Sequence, residues 1–116
     1  MMKKTLGKKG EDIARKYLVK KGYKIITSNY YTRYGEIDII CEKDKELIFV
    51  EVKTRRNTNY GSPEEAITKQ KIAHLRKAAL IYLDKEGKNY KGLRFDVIGI
   101  LWQGEDISIN HIEAAF

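Results

Sequence analysis

A chain of 116 residues, 42% hydrophobic and 34% charged, has room for one compact domain and too much apolar content for disorder, which excludes two independent cores. Its 23 Lys and Arg against 16 Asp and Glu leave a formal charge of +7, so nucleic acid is the leading partner class, the plain alternative being a solvated basic surface. Cys41 is the only cysteine, which excludes an internal disulfide, and no apolar run approaches the ~20 residues that span a bilayer, so a cytoplasmic protein off the membrane is expected.

From about Lys8 to Lys21, the side chains of Ile13, Ala14, Tyr17 and Leu18 recur at helical spacing, and Gly22 stands where a C-cap glycine would. A strand is expected over Tyr23 to Tyr31, and two more over Glu36 to Glu42 and Glu46 to Lys53 around a polar turn. Thr54 to Gly61 is a polar, basic loop. Ser62 as N-cap, Pro63 in the first helical position and Glu65 closing a capping box then announce a second helix. Its stripe of Ile72, Leu75, Ala79 and Tyr82 or Leu83 runs roughly five to six turns to a break near Gly87. Leu93 to Trp102 and Ile107 to Ile112 read as a closing pair of strands. The expected order is α-β-β-β-α-β-β over a single domain, residues 1–116, a mixed α/β fold with helices flanking a five-stranded sheet.

The first hairpin carries the chemistry. With its turn centred between Asp44 and Lys45, Asp38 lies opposite Glu51 and Glu36 opposite Lys53, and all four are expected on one face. Ile37, Ile39 and Cys41, with Ile48, Val50 and Val52, would then form a wholly apolar opposite face, and a one-residue slip would put charges among them. Ile40, Leu47 and Phe49 share the charged face at its turn end, where a helix should cover them. Asp38 across from Glu51 is a like-charge pair that needs a cation: Lys53 supplies one charge, and a divalent ion would supply more. Mg²⁺ takes one or two carboxylates and leaves positions for water and phosphate oxygens. The set therefore suits phosphodiester hydrolysis, with Asp38 and Glu51 holding the metal and Lys53 orienting or deprotonating the attacking water. The plain alternative is a row of surface salt bridges, against which stand the strongly apolar strands around these charges.

The segments Gly35-Glu36-Ile37-Asp38-Ile39-Ile40 and Phe49-Val50-Glu51-Val52-Lys53-Thr54-Arg55 resemble the core of the PD-(D/E)xK, restriction-endonuclease-like nuclease superfamily. More narrowly, they resemble the bacterial YraN-like proteins, a family of predicted endonucleases related to archaeal Holliday junction resolvases. The likeness extends through Gly10-Glu11-Asp12-Ile13-Ala14, Asn29-Tyr30, Gly61-Ser62-Pro63 and Lys69-Gln70-Lys71 to Phe95-Asp96-Val97. Ile37 stands where the superfamily label has its proline. The resemblance implies a restriction-endonuclease-like fold, Mg²⁺- or Mn²⁺-dependent DNA cleavage, metal ligands at Asp38 and Glu51, and a catalytic Lys53.

Glu11 shares a helical stripe with Ala14 and Leu18, and related nucleases place an acidic residue there near the metal; the alternative is a first-turn glutamate favoured by the helix dipole. Gln70 is similar to a glutamine bordering the site in resolvase relatives, or is an ordinary exposed helical residue. Tyr30, Arg33, Arg55, Arg56, Lys69 and Lys71 flank the site and are candidate DNA contacts, the cations on phosphates and the ring on an unpaired base. His74 and His111 have no partner at zinc spacing, and Asp96 is equally a site residue or an ion-pair partner. The expected function is a structure-selective endonuclease acting on junctions, flaps or single strands in repair or recombination. Its rivals are a nucleic-acid-binding accessory protein that keeps the fold without cutting, and a basic protein-interaction module. By analogy with resolvases, two copies are expected to pair.

Overall fold

In the computed structural model, which describes residues 4–86 and 89–116, Thr5 opens helix α1 (Leu6–Lys20) by accepting the Lys8 N–H on its hydroxyl at 3.2 Å. Gly22, at φ +94°, ends it: the Tyr23 N–H reaches the Leu18 carbonyl at 2.9 Å and the Gly22 N–H reaches that of Val19 at 3.0 Å. This paired closure needs the left-handed backbone that glycine adopts without strain, and it feeds the chain directly into the sheet.

Strands β1 (Lys24–Thr32), β2 (Gly35–Lys43), β3 (Glu46–Arg55), β4 (Gly92–Gln103) and β5 (Asp106–Ile112) lie side by side in chain order. Only β3 and β4 run parallel, joined through helix α2 (Lys69–Glu86). The predicted element order and the mixed five-stranded sheet are therefore observed. Helix α1 buries Ala14 and Leu18 against Ile39, Cys41, Ile48, Val50, Val52, Ile98 and Ile100. On the other face, α2 buries Leu75, Ala78, Ala79 and Tyr82 against Ile37, Ile40, Leu47 and Phe49. With both faces covered, Leu47–Val52 is an unbroken buried run, as expected of a strand with water on neither side. No helix among the described residues is long and apolar enough to cross a membrane.

Three expectations change. The Ser62-Pro63-Glu65 signature forms, with the Glu65 carboxylate accepting the Ser62 N–H at 3.2 Å, but it starts only a 3-10 turn, Pro63–Ala66. That turn buries Pro63 and sets Glu64 against Gly99 of β4. Ile67 then becomes extended, and α2 starts afresh at Lys69, where the Thr68 hydroxyl accepts the Lys71 N–H at 3.1 Å. The expected break at Gly87 lies outside the described residues. The hairpin register is as read, with Ile39 paired to Val50 and Asp44-Lys45 both at positive φ, as a tight primed turn requires. Its ladder stops at Ile39, however, and Ile37 packs in the α2-side core with Ile40, not beside Ile39 and Cys41. The four charged residues likewise do not share one face: Glu36 meets α1, where Lys8 pairs with it, and Glu51 meets Lys71 of α2.

Helix α1 approaches β3 so closely at Gly10 that a Cβ there would run into the Thr54 hydroxyl. Gly10→Ala is therefore expected to lower the melting temperature, by an overpacking cost of about 1–3 kcal/mol that exceeds alanine's helix-propensity gain of about 1 kcal/mol. Thermal unfolding by circular dichroism checks this; a higher melting temperature would show that the helix can back away freely.

At the opposite end of the α1 face, Asp96 is fully buried. It accepts from Arg94 at 2.8 and 2.9 Å, from the Ala114 N–H at 3.0 Å, and shares a hydrogen bond with His111 at 2.7 Å. Burial works to raise its pKa, but the bonds from His111, Arg94 and Ala114 outweigh it and hold the carboxyl below its usual range. Asp96 is thus an ion-pair centre that pins the C-terminal segment, whose Ala115 N–H reaches the Phe95 carbonyl at 2.7 Å.

Candidate metal centre

Where the β2–β3 ladder ends, the Asp38 carboxylate takes the Val52 N–H at 2.8 Å. A side chain has replaced a backbone acceptor, and the carboxyl group is held between the strands. On the other side of β2, Asn29 of β1 sits at φ +52°, a left-handed conformation that asparagine tolerates better than most residues. Its amide donates to Glu11 of α1 at 2.7 Å and also to Glu36. Carboxylate oxygens of Glu11, Glu36 and Asp38 all fall within 4.8 Å of one another. Lys8, three residues before Glu11 on the helix, is 3.4 Å from Glu11 and 3.8 Å from Glu36.

Glu51 of β3 precedes Val52, whose N–H Asp38 accepts, so its carboxylate adjoins that of Asp38. Its side chain is 3% exposed, and its Oε1 lies 4.0 Å from the Lys53 ammonium and 3.7 Å from that of Lys71. Its Oε2 is buried with no hydrogen-bond partner among the described residues. Burial pushes the Asp38 pKa up to about 8, the carboxylates of Glu51, Glu11 and Glu36 push the same way, and only the Val52 N–H opposes them. Burial also raises Glu51, with the ammonium groups of Lys71 and Lys53 pulling it back. Asp38 is thus shifted toward its protonated form near neutral pH by burial and by the carboxylates around it.

These residues fit a hard divalent cation. All the donors are carboxylate oxygens, as Mg²⁺ and Mn²⁺ prefer. Three of the groups already converge, and the fourth, Glu51, carries a buried oxygen with no hydrogen-bond partner among the described residues. An unpaired buried acceptor costs about 1–3 kcal/mol, which a cation would relieve.

Of the residues nominated from sequence, Glu11 and Asp38 converge with Glu36, and Lys53 lies beside Glu51. Gln70 is exposed in the first turn of α2, outside the carboxylate cluster. Of the candidate nucleic-acid contacts, Lys71 turns inward onto Glu51. Lys69 and Arg56 are exposed and Arg55 is half-buried. Arg33 is exposed, with its guanidinium 5.0 Å from the Tyr34 ring centre. Tyr30 is half-buried, edge-on to Tyr82 at 5.2 Å in the α2-side core. Sequence reasoning gave no ligand role to Glu36, named Asn29 only within the Asn29-Tyr30 likeness, and gave Lys8 no part in the site. A signal for Lys8 was available in its i, i+3 spacing from Glu11; for Asn29 there was none beyond its tolerance of left-handed backbone.

Residues 10–100 match the model of a family described as "Uncharacterised protein family UPF0102". A UPF0102 protein of Syntrophomonas wolfei subsp. wolfei is 52% identical over 115 residues, which is 99% of this chain and 100% of the relative. One of Rhodococcus jostii is 43% identical over 113 residues, 97% of this chain and 96% of the relative. Among solved structures, Pyrococcus furiosus SfsA in complex with Ca²⁺ is similar at a TM-score of 0.42 and 20% identity, over 93% of this chain and 62% of that one.

Proposed function

This chain belongs to the uncharacterised protein family UPF0102, and from its carboxylate and lysine cluster we propose that it is a divalent-cation-dependent DNA endonuclease of the PD-(D/E)xK kind. The observation that carries the reading is Glu51 Oε2, buried with no hydrogen-bond partner among the described residues, on a side chain that adjoins Asp38 of the Glu11, Glu36 and Asp38 trio and whose other oxygen lies 4.0 Å from the Lys53 ammonium. Leaving a buried carboxylate oxygen without a partner costs desolvation free energy that a bound cation would repay.

Asp38 and Glu51, with Glu11 and Glu36, would hold Mg²⁺ or Mn²⁺, which when bound supplies Lewis-acid polarisation of a phosphate oxygen and a more acidic water. Lys53, 37% exposed and reaching toward Glu51, stands where water and substrate enter; its ammonium orients the attacking water and exchanges a proton with it. Lys71 offsets the charge of Glu51 and offers a second cation to the phosphate. Arg55 and Arg56 at the end of β3, with Lys69 at the start of α2, extend that positive rim along a DNA backbone. Junctions, flaps or single strands are the substrates proposed, with repair or recombination in the cytoplasm as the setting.

One observation favours a second reading. Lys8 and the Asn29 amide already satisfy Glu11 and Glu36 without a metal, as a non-catalytic accessory protein on nucleic acid would require. Wild-type protein incubated with labelled branched, flapped, single-stranded and linear duplex DNA separates the two. Cutting in Mg²⁺ or Mn²⁺ that chelation abolishes is expected. Binding without cutting in either metal selects the accessory reading, and neither binding nor cutting removes both.

A further inference from the structure

Tyr31 is 72% exposed, a large aromatic ring left in water, and it pairs across the β1–β2 ladder with Glu36. Cross-strand partners share a face with Cβ atoms about 5 Å apart, so Tyr31 projects on the face of Glu36, one member of the acidic trio, with Lys8 close to both. Tyr30, the aromatic residue that sequence alone nominated for stacking, is instead engaged with Tyr82.

The turn that follows is braced. The Thr32 hydroxyl accepts the Tyr34 N–H at 3.1 Å and donates to the Gly35 carbonyl at 2.9 Å. Tyr34 is flanked by two cations, the Arg33 guanidinium at 5.0 Å and the Lys77 ammonium at 5.1 Å from its ring centre. Along the same sheet edge a groove of about 510 Å³ is lined by Tyr31, Thr32, Arg33, Ile81 and Lys85. The edge of the sheet thus gathers an exposed ring, the apolar Ile81 and the cations Arg33 and Lys85 around one groove, an arrangement suited to a base and its flanking phosphates.

We propose that Tyr31 is a stacking platform for an unpaired base next to the scissile phosphate, with Arg33 and Lys85 on the neighbouring phosphates. This rests on the nuclease reading for the position of the cut, and it adds the residue that selects an unpaired strand. Inside a duplex both faces of each base are covered by its neighbours, so only an unpaired nucleotide offers a face to Tyr31. Stacking on tyrosine is tolerant of sequence, so the site selects strand structure and not a base. Flaps, gaps and single-stranded arms are accordingly preferred over continuous duplex.

The test measures binding in EDTA, where cutting plays no part, by fluorescence anisotropy with a labelled oligothymidylate and a labelled duplex of equal length. Tyr31→Ala is expected to weaken the single strand about 5- to 100-fold and to leave the duplex within about twofold, while Tyr31→Trp restores single-strand affinity. Equal loss on both probes, or loss on neither, overturns the proposal. Metal-dependent cutting by wild type that persists alongside an unchanged single-strand affinity in Tyr31→Ala removes the stacking site and leaves the nuclease reading standing. A selective loss of single-strand binding in a protein that cuts nothing does the reverse. Because the ring is exposed, circular dichroism of Tyr31→Ala should match wild type.

Discussion

Lys53→Met is expected to slow metal-dependent DNA cutting by about 10²- to 10⁴-fold, the range of a positioned proton-transfer group, while DNA binding changes little. The side chain is 37% exposed and 4.0 Å from Glu51, and Lys71 remains at 3.7 Å to balance that carboxylate. Removing Lys53 therefore leaves no uncompensated buried charge, and the fold and the divalent-cation binding should survive. A loss confined to the rate corresponds to about 3–5 kcal/mol of transition-state stabilisation. The charge-conserving Lys53→Arg variant refines the role. Arginine carries the same charge but cannot give up its proton in a protein. If single-turnover cutting by Lys53→Arg stays near the methionine level, Lys53 exchanges a proton; if it returns to wild type, charge alone is what the position supplies. Unimpaired cutting by Lys53→Met would take Lys53 out of the reaction.

Much of this site was legible because a tight hairpin is a strong local constraint. Two turn residues at positive φ, Asp44 and Lys45, fix the register from Lys43 and Glu46 to Ile39 and Val50, and that register brings Asp38 toward Glu51. What failed was the assumption that alternation continues along both strands. On β2 it holds only while the ladder does, and the ladder ends where Asp38 takes the Val52 N–H for itself. Beyond that point Ile37 turns to α2 while Glu36 and Asp38 gather with Glu11. The capping box at Ser62 teaches the same lesson from the other side. Its local chemistry is present, but burial of Pro63 and contact with Gly99 decide how far the turn continues, and neither is visible in sequence. The approach of α1 that delivers Glu11 depends on Gly10 meeting Thr54, a tertiary fact that a helical stripe does not contain. Asn29 and Lys8 were given no role at the site for that reason: their contacts arise only where α1, β1 and β2 converge.

Asp38→Asn is expected to abolish the stabilisation that Mg²⁺ or Mn²⁺ gives wild type, and at the same time to raise the melting temperature of the metal-free protein. Asparagine can still accept the Val52 N–H but carries no charge to crowd Glu11, Glu36 and Glu51. The pH dependence fixes the sign. A carboxyl whose folded pKa is raised to about 8 from an ordinary value of 3.8 binds more protons in the folded state than in the unfolded one between those values. Its contribution to stability is therefore fully present below the lower value and lost as pH rises through the upper one. Glu51, also raised, acts in the same direction. Asp96 acts oppositely: its lowered pKa gives stability that is present above its ordinary value and lost as pH falls through its folded one, so it is silent above about pH 5. Between about pH 5 and pH 8, metal-free wild type should thus lose stability with rising pH, and Asp38→Asn should show a flatter profile and melt several degrees higher at the alkaline end. About 1 kcal/mol moves the midpoint of a domain of this size by roughly 4 °C. Adding Mg²⁺ or Mn²⁺ at the alkaline end should restore wild type, because the cation then occupies the place of the protons, and should leave Asp38→Asn unmoved. If wild type shows no cation shift at any pH and Asp38→Asn melts lower, the Asp38 carboxyl is a structural acceptor for Val52 and the cluster holds no metal.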